Sequence, residues 1–407
     1  MGAWFWAKYI RGGSTPGASR KGNEVAEPLR LGFIGGGLNS AVGRCHEIAS
    51  RMDDRWHLVS GAFSRHIDVN QATGEAWRVE PQRVYESWSQ FIDSEAGRLD
   101  AVALLTPTPQ HTEQIEELLT AGFNVISEKA ITGNSQEARS LASLAKKEHK
   151  FLRVTMNYSG YPMVRELRYM IRRGDLGEIV GINVRMPQEG FLRQDANGQQ
   201  VMPQDWRQRD GDLPTVSLDL GTHSHHLISF LLDADPVKVV GTHAHHGKVT
   251  DVADYVSSLA KLPSGADVNM WFGKCVLGER NGLAVDVYGD KASAHWKQAF
   301  PEELRIADVR GSIAIIDRAS PGIVEASQSR YQRFKAGHPA GFLEAFANLY
   351  WDLADDMIAT REGKKQSGWT FGAAHASNGL SMLEAIAMST ASEKWEDVSL
   401  IVGESSE

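Results

Sequence analysis

The chain has 407 residues, 42% hydrophobic and 23% charged, with 43 Lys+Arg against 51 Asp+Glu for a formal net charge of −8. That length exceeds a single core of ~250–300 residues and predicts two domains, while the acidic balance argues against nonspecific nucleic-acid binding and points to small-molecule chemistry. With only Cys45 and Cys275 there is no disulfide framework or cysteine zinc site, and no apolar run approaches the ~18 residues of a membrane span, so a soluble, cytoplasmic protein is expected.

Residues 1–28 stand apart. "MGAWFWAKYI" is aromatic-rich, but its lysine interrupts any signal-peptide core, and "RGGSTPGASRKGNEVAEP" reads as a flexible basic linker. The segment is expected to be a flexible extension, or an arm docking its aromatics on a neighbouring subunit.

From Leu29, "LRLGFIGGGLNSAVGRCHEIASRM" passes from an apolar strand through a glycine cluster into a helical pattern. This is the context of a dinucleotide fingerprint. Gly35 permits the tight turn, Gly37 lets backbone amides approach a pyrophosphate at the helix N-terminus, and Leu38, Asn39 and Ser40 complete the loop. Ser40 replaces the third glycine and is small enough for close helix–strand packing; a merely glycine-rich turn is the competing reading. The next strand, "WHLVSGAFSRH", reaches the ribose-reading position without an acidic residue. Ser64 and Arg65 stand there instead, a pair that suits the 2′-phosphate of NADP, whereas an arginine stacked over adenine leaves NAD equally open. Two further strand-to-loop junctions, "LDAVALLTPTPQH" (99–111) and "FNVISEKAITG" (123–133), each lead into a helix-forming segment. The alternation predicts an α/β, doubly wound parallel sheet over 29–155, with ligands at the carboxyl ends of its strands. Thr106, Pro107, His111, Glu128 and Lys129 fall at those ends.

After a helix expected at about 162–173, longer strands such as "VKVVGTHAHH", "DYVSSLAKLPSG" and "DVNMWFGKCV" predict an α+β domain over 156–407 with a large, mainly antiparallel sheet. Helices on one face leave the other to bury, so a homodimer or homotetramer is expected. A last helix near 371–392 is expected to pack back towards the first domain. In "SLDLGTHSHHLISFLLDA", helical spacing puts Asp219, His223 and His226 on one face. A carboxylate beside an imidazole fixes its tautomer and raises its basicity, as a general base requires. Convergence of the same three on a metal is an alternative that no H-E-x-x-H signature supports; mere packing is another. The polar stretch at 185–212 carries Arg193, Trp206 and Arg207, candidates to hold an anionic or sugar ring or else solvated surface.

Four features occur in order: the glycine loop at 35–40, "TPTPQH" at 106–111, "EKA" at 128–130 and "DLGTH" at 219–223. With them the chain resembles the Gfo/Idh/MocA family over nearly all of its length after residue 28. The family tends to have T-P-N-x-x-H and E-K-P at the second and third. The resemblance implies an NAD or NADP cofactor and hydride transfer between nicotinamide and a ring hydroxyl of a sugar, sugar derivative or cyclitol. It implies that Lys129 lies beside the nicotinamide and the substrate hydroxyl, where an ammonium stabilises developing negative charge, with Glu128 orienting it. Asp219 and His223 take the proton-transfer roles. Tyr158, Arg193, Trp206, Arg207, His226 and His338 are the candidate substrate contacts; His338 lies in a G-H-P stretch similar to that of related sugar dehydrogenases. Ala130 departs from the family's proline, whose ring fixes φ, and so leaves the lysine loop less constrained. Some members cleave glycosides by transient oxidation and elimination, and a nucleotide- and sugar-binding regulator is the non-enzymatic alternative.

Overall fold

The computed structural model describes residues 27–249 and 251–400; of the expected N-terminal extension, residues 1–26 lie outside it. The strands Leu29–Gly35 (β1), Trp56–Ala62 (β2), Ala101–Leu105 (β3), Val125–Ser127 (β4) and Leu152–Val154 (β5) form a parallel sheet in the order β2-β1-β3-β4-β5. All five residues of β3 are buried, as a strand covered on both faces requires. The helices between the strands are Ala41–Arg51 (α1), Ile67–Ala76 (α2), Trp88–Glu95 (α3), His111–Thr120 (α4) and Ser135–Lys147 (α5). Their starts are written locally: Ser40, Ser87 and Asn134 each accept a hydrogen bond from a first-turn backbone N–H, satisfying donors that the helix itself leaves open.

The second sheet has nine strands: Ile179–Pro187 (β6), Lys238–Ala244 (β7), Tyr255–Lys261 (β8), Asp267–Gly273 (β9), Ala284–Gly289 (β10), Ala292–Lys297 (β11), Leu304–Asp308 (β12), Ile313–Ile316 (β13) and Glu396–Asp397 (β14). Their order is β13-β12-β11-β10-β6-β9-β8-β7-β14. The pairing β6–β9 is parallel and all the others are antiparallel. Helices Pro162–Arg172 (α6), Thr222–Leu232 (α7), Phe342–Arg361 (α8) and Ala373–Ser392 (α9) complete the chain. Helix α7 packs on β6, and α9 on β7. Strand residues such as Leu259, Ile313 and Ile315 stay exposed.

The second half does not stay on its own side of residue 155. Helix α8 buries Phe346, Tyr350, Leu353 and Met357 in one core with Leu31, Phe33, Trp56 and Leu58 of β1 and β2, and the Trp56 indole donates to the Tyr350 carbonyl at 2.8 Å. The apolar face of the parallel sheet thus takes part of its cover from chain far downstream, Tyr350 lying 294 residues after Trp56. Helix α9 lies against α5, where Glu384 accepts hydrogen bonds from the amide and hydroxyl of Ser135. Two helices of the C-terminal half therefore pack on the first sheet and its helices, and α9, which also lies on β7, links the two sheets.

Candidate active site

The end of β1 turns through Gly35 and Gly36 at φ 80° and 76°, left-handed backbone that favours glycine. Ser40 does not perform the close packing expected of it. It is the N-cap of α1, its hydroxyl accepting from Gly43 N at 3.2 Å. The close approach falls at Gly43, where a Cβ would lie 1.8 Å from the Gly36 carbonyl oxygen. Leu38 N donates to the Thr73 hydroxyl at 3.1 Å, and Leu38 and Asn39 are exposed at the tip. After β2, Asn70 shapes the neighbouring loop by accepting from Phe63 N (2.7 Å) and Ser64 N (3.3 Å), and Arg65 is left exposed.

The loops after β3 and β4 are tied to each other. His111, fully buried, sets Nε2 2.7 Å from the Thr106 carbonyl and Nδ1 2.9 Å from the Ala130 carbonyl; burial pushes its pKa down against the pull of those two oxygens. Its ring is thus spent on backbone. Pro107 leads into the short turn Thr108–Gln110, and Thr106 donates to Gln114 Oε1 at 2.6 Å.

Lys129 projects from the loop after β4, and the Lys129–Ala130 peptide is cis. Glu128 Oε2 accepts from Lys129 N at 3.1 Å, while Oε1 meets His46 Nε2 at 2.9 Å and accepts from the Thr155 hydroxyl at 2.5 Å. The other nitrogen of His46 is 2.7 Å from the Tyr350 hydroxyl, so the network reaches α8. Burial opposes the charge on Glu128, but the His46 hydrogen bond and the charges of His46 and Lys129 hold its carboxyl at about 2.

The Lys129 ammonium donates to Asp219 twice, to Oδ1 at 2.5 Å and to the carbonyl at 2.9 Å. Asp219 Oδ2 accepts from Arg207 at 2.6 Å and from Lys274. Burial opposes this carboxylate as well, and the three cations keep it ionised, well below the usual range. Lys274, one residue past β9 and buried, is pushed by desolvation below the usual lysine range.

The expected Asp219–His223 hydrogen bond is not formed. Ser217–Gly221 is a single π-helical turn ahead of α7, and its i→i+5 winding breaks the i, i+4 stacking on which that expectation rested. Asp219 is drawn to the cations instead, and His223 Nδ1 is buried without a protein partner. The His223 ring stands edge-on to Tyr158, centroids 4.6 Å apart. Burial and the charge of Lys129 lower its pKa to about 3, so it is neutral at physiological pH. The Tyr158 hydroxyl accepts from Asn281 at 3.0 Å.

Lys129, Asp219, His223, Tyr158, Arg207 and, stacked under Arg207 at 4.4 Å, Trp206 are thus brought together. His226 is not: it is fully buried, with Nδ1 3.0 Å from His375 Nε2 and its ring against Phe371. Its place past the π turn is why it shares no face with Asp219. Arg193 is paired with Glu189 at 3.8 Å, and the exposed His338 packs on Phe334; neither bonds to the cluster. Among the described residues no group of three or more His, Cys, Asp and Glu is placed to hold a metal ion, and no helix is long and apolar enough to cross a membrane. Sequence reasoning missed Lys274 and His46. The only local signals were a lysine just past the glycine that ends an apolar strand, and a histidine three residues beyond Gly43 on an otherwise packed helix.

A glycine-turned parallel sheet joined to a large open sheet, with a lysine held on an aspartate between them, defines a two-domain nucleotide-dependent oxidoreductase. Residues 29–156 match the oxidoreductase family with an NAD-binding Rossmann fold, residues 164–295 match the GFO/IDH/MocA C-terminal domain, and the chain belongs to this Gfo/Idh/MocA family. It is 29% identical over 339 residues to the uncharacterized oxidoreductase YfiI of Bacillus subtilis, covering 81% of this chain and 86% of that protein. It is 25% identical to inositol 2-dehydrogenase of Rhizobium meliloti, covering 78% and 88% respectively. Among solved structures, an inositol dehydrogenase homolog from Azotobacter vinelandii complexed with NADH and myo-inositol superposes with a TM-score of 0.83 at 26% identity, covering 91% of this chain and 98% of that one.

The glycine turn fits a dinucleotide on its own geometry. Gly43 lets α1 start against the Gly36 carbonyl, and a Cβ on Gly37 would meet the Phe63 carbonyl oxygen at 3.1 Å, so both glycines hold the turn tight against the surrounding backbone, the form in which a helix N-terminus can meet a pyrophosphate. Gly35, Gly37 and the turn to Ser40 would hold the phosphates, and Ser64 and Arg65 the adenosine ribose. Gly43→Ala is expected to displace that turn and weaken NADH binding roughly tenfold or more, with circular dichroism unchanged; a fluorescence titration of NADH checks it.

Proposed function

We propose that the protein is an NAD(P)-dependent dehydrogenase of a ring hydroxyl on a sugar, sugar derivative or cyclitol. The observation that carries this reading is the Lys129 ammonium held on Asp219 at 2.5 Å, with neutral His223 alongside Tyr158. The nicotinamide, when bound, supplies the hydride acceptor. Lys129 donates a hydrogen bond to the reacting oxygen and stabilises the negative charge that develops there as the proton leaves. His223, held neutral by burial and the charge of Lys129, accepts that proton. Asp219 acts through Lys129, fixing its ammonium by two bonds. Family relatives named for inositol oxidation and the structure with bound myo-inositol support a polyol ring. The exposed Leu259, Ile313 and Ile315 on the second sheet support association of copies through that face.

A cofactor-reduction screen over sugars, inositols, acidic sugars and glycosides tests the reading. At least one ring alcohol is expected to reduce NAD⁺ or NADP⁺ stoichiometrically. Release of an aglycone with no net NADH would reassign the protein to redox-neutral glycoside cleavage, and no turnover of any ring alcohol would refute the dehydrogenase.

A further inference from the structure

The charge around Asp219 says more about the substrate of this site, on the dehydrogenase reading above. Lys129, Arg207 and Lys274 all end on that one carboxylate. The other carboxylate close by, Glu128, is taken up by His46, Thr155 and the backbone N–H of Lys129. Three cations therefore face two carboxylates, and among the described residues Asp219 is the one carboxylate that bonds Arg207 or Lys274. The Lys129, Lys274, Arg207 and Asp219 side chains are 15%, 11%, 24% and 14% exposed, so water offsets the surplus only in part, and mainly at Arg207. Buried positive charge in excess of its counter-ions is unfavourable, and an anion arriving from solution relieves it.

Lys129 is already assigned to the reacting oxygen, which leaves Arg207 and Lys274. The guanidinium of Arg207 lies over the Trp206 ring and spends one nitrogen on Asp219. A guanidinium carries five N–H donors in a planar fork that matches a carboxylate or a phosphate, and an ammonium carries three. Desolvation already pushes Lys274 towards losing its proton, a tendency that a bound anion opposes. His223 is neutral and adds no charge. We infer that the ring substrate bears an anionic group, a carboxylate or a phosphate ester, seated by Arg207 and Lys274 while Lys129 and His223 act on the hydroxyl.

Matched rings test this on the full chain: glucose against glucuronate and glucose 6-phosphate, and myo-inositol against its monophosphate. Each is measured by cofactor reduction and, independently, by calorimetric titration. An anionic ring is expected to exceed its neutral counterpart by ~100-fold in kcat/KM and in affinity, and the carboxylate and phosphate arms decide between the two groups. Arg207→Gln and Lys274→Met are expected to bring that ratio towards one, mainly through KM, and Lys274→Arg to keep it. Tighter anionic binding that both variants abolish, without any cofactor reduction, would remove the dehydrogenase reading and leave the anion seat standing. If no anionic ring binds more tightly than its neutral counterpart, or the preference survives both variants, the inference is overturned.

Discussion

Replacing Lys129 by methionine is expected to lower kcat on a ring alcohol by ~10²-fold or more, with NADH affinity within a few-fold of wild type. Methionine keeps the length and apolar stem of lysine and removes only the ammonium. The glycine turn and the Ser64–Arg65 loop, which would carry most of the nucleotide, do not bond the Lys129 side chain, so cofactor binding and turnover separate. The loss falls on kcat because the charge on the reacting oxygen develops only in the transition state. His223→Ala is expected to cost a similar factor, since it removes the neutral imidazole beside Tyr158 that takes the hydroxyl proton. Steady-state kinetics and a NADH titration on each variant are the measurements. Near-normal turnover in both would exclude the mechanism.

Acidification from pH 7 to pH 5 is expected to destabilise the fold by up to ~4 kcal/mol through two buried histidines. His223 is lowered to about 3 by burial and by Lys129, and His375 to about 3 by burial and by His225. Below an unfolded pKa of ~6.5 the unfolded chain takes up these protons and the folded chain does not, so stability falls as pH falls. Each group contributes ~1.4 kcal/mol per pH unit between ~6.5 and its folded value, about 2 kcal/mol by pH 5. His226, held well below the usual range by burial and by His375 3.0 Å away, acts in the same direction. Glu128 and Asp219 act in a lower window. Their carboxyls are depressed in the fold, so their contribution is complete above the unfolded value of ~4 and is lost only below it. Urea midpoints at pH 7, 6 and 5 measure the effect, and His375→Phe is expected to remove about half of the slope. A midpoint that does not move between pH 7 and 5 would show that neither ring is held neutral.

What local sequence determines here is what needs only neighbours in the chain. The glycine cluster after an apolar strand, the alternation of strand and helix up to residue 155, and the long alternating strands beyond it are read from periodicity and turn chemistry. Lys129 and Asp219 were legible through the "EKA" and "DLGTH" stretches, whose order along the chain carries the family resemblance. The position of the close-packing glycine was misread: Ser40 lies at the expected spacing but caps the helix, and Gly43, three residues on, meets the backbone of Gly36.

The rest was decided by tertiary structure, because it depends on groups far apart in sequence. Alanine at position 130 suggested a loosely held lysine. The fold instead restrains Lys129 through Asp219, ninety residues away, through Glu128 beside it, and through His111 on the Ala130 carbonyl. One extra residue in the turn at Ser217–Gly221 separates Asp219 from His223 and sends His226 into the core, a change of winding that no pattern of residue types announces. Lys274 joins the site only because β9 ends beside that turn. The chain itself specifies where a nucleotide-type turn and the Lys129 loop lie; the packing of the two sheets decides which charges meet there, since electrostatic partners are chosen by distance in space rather than by spacing along the backbone.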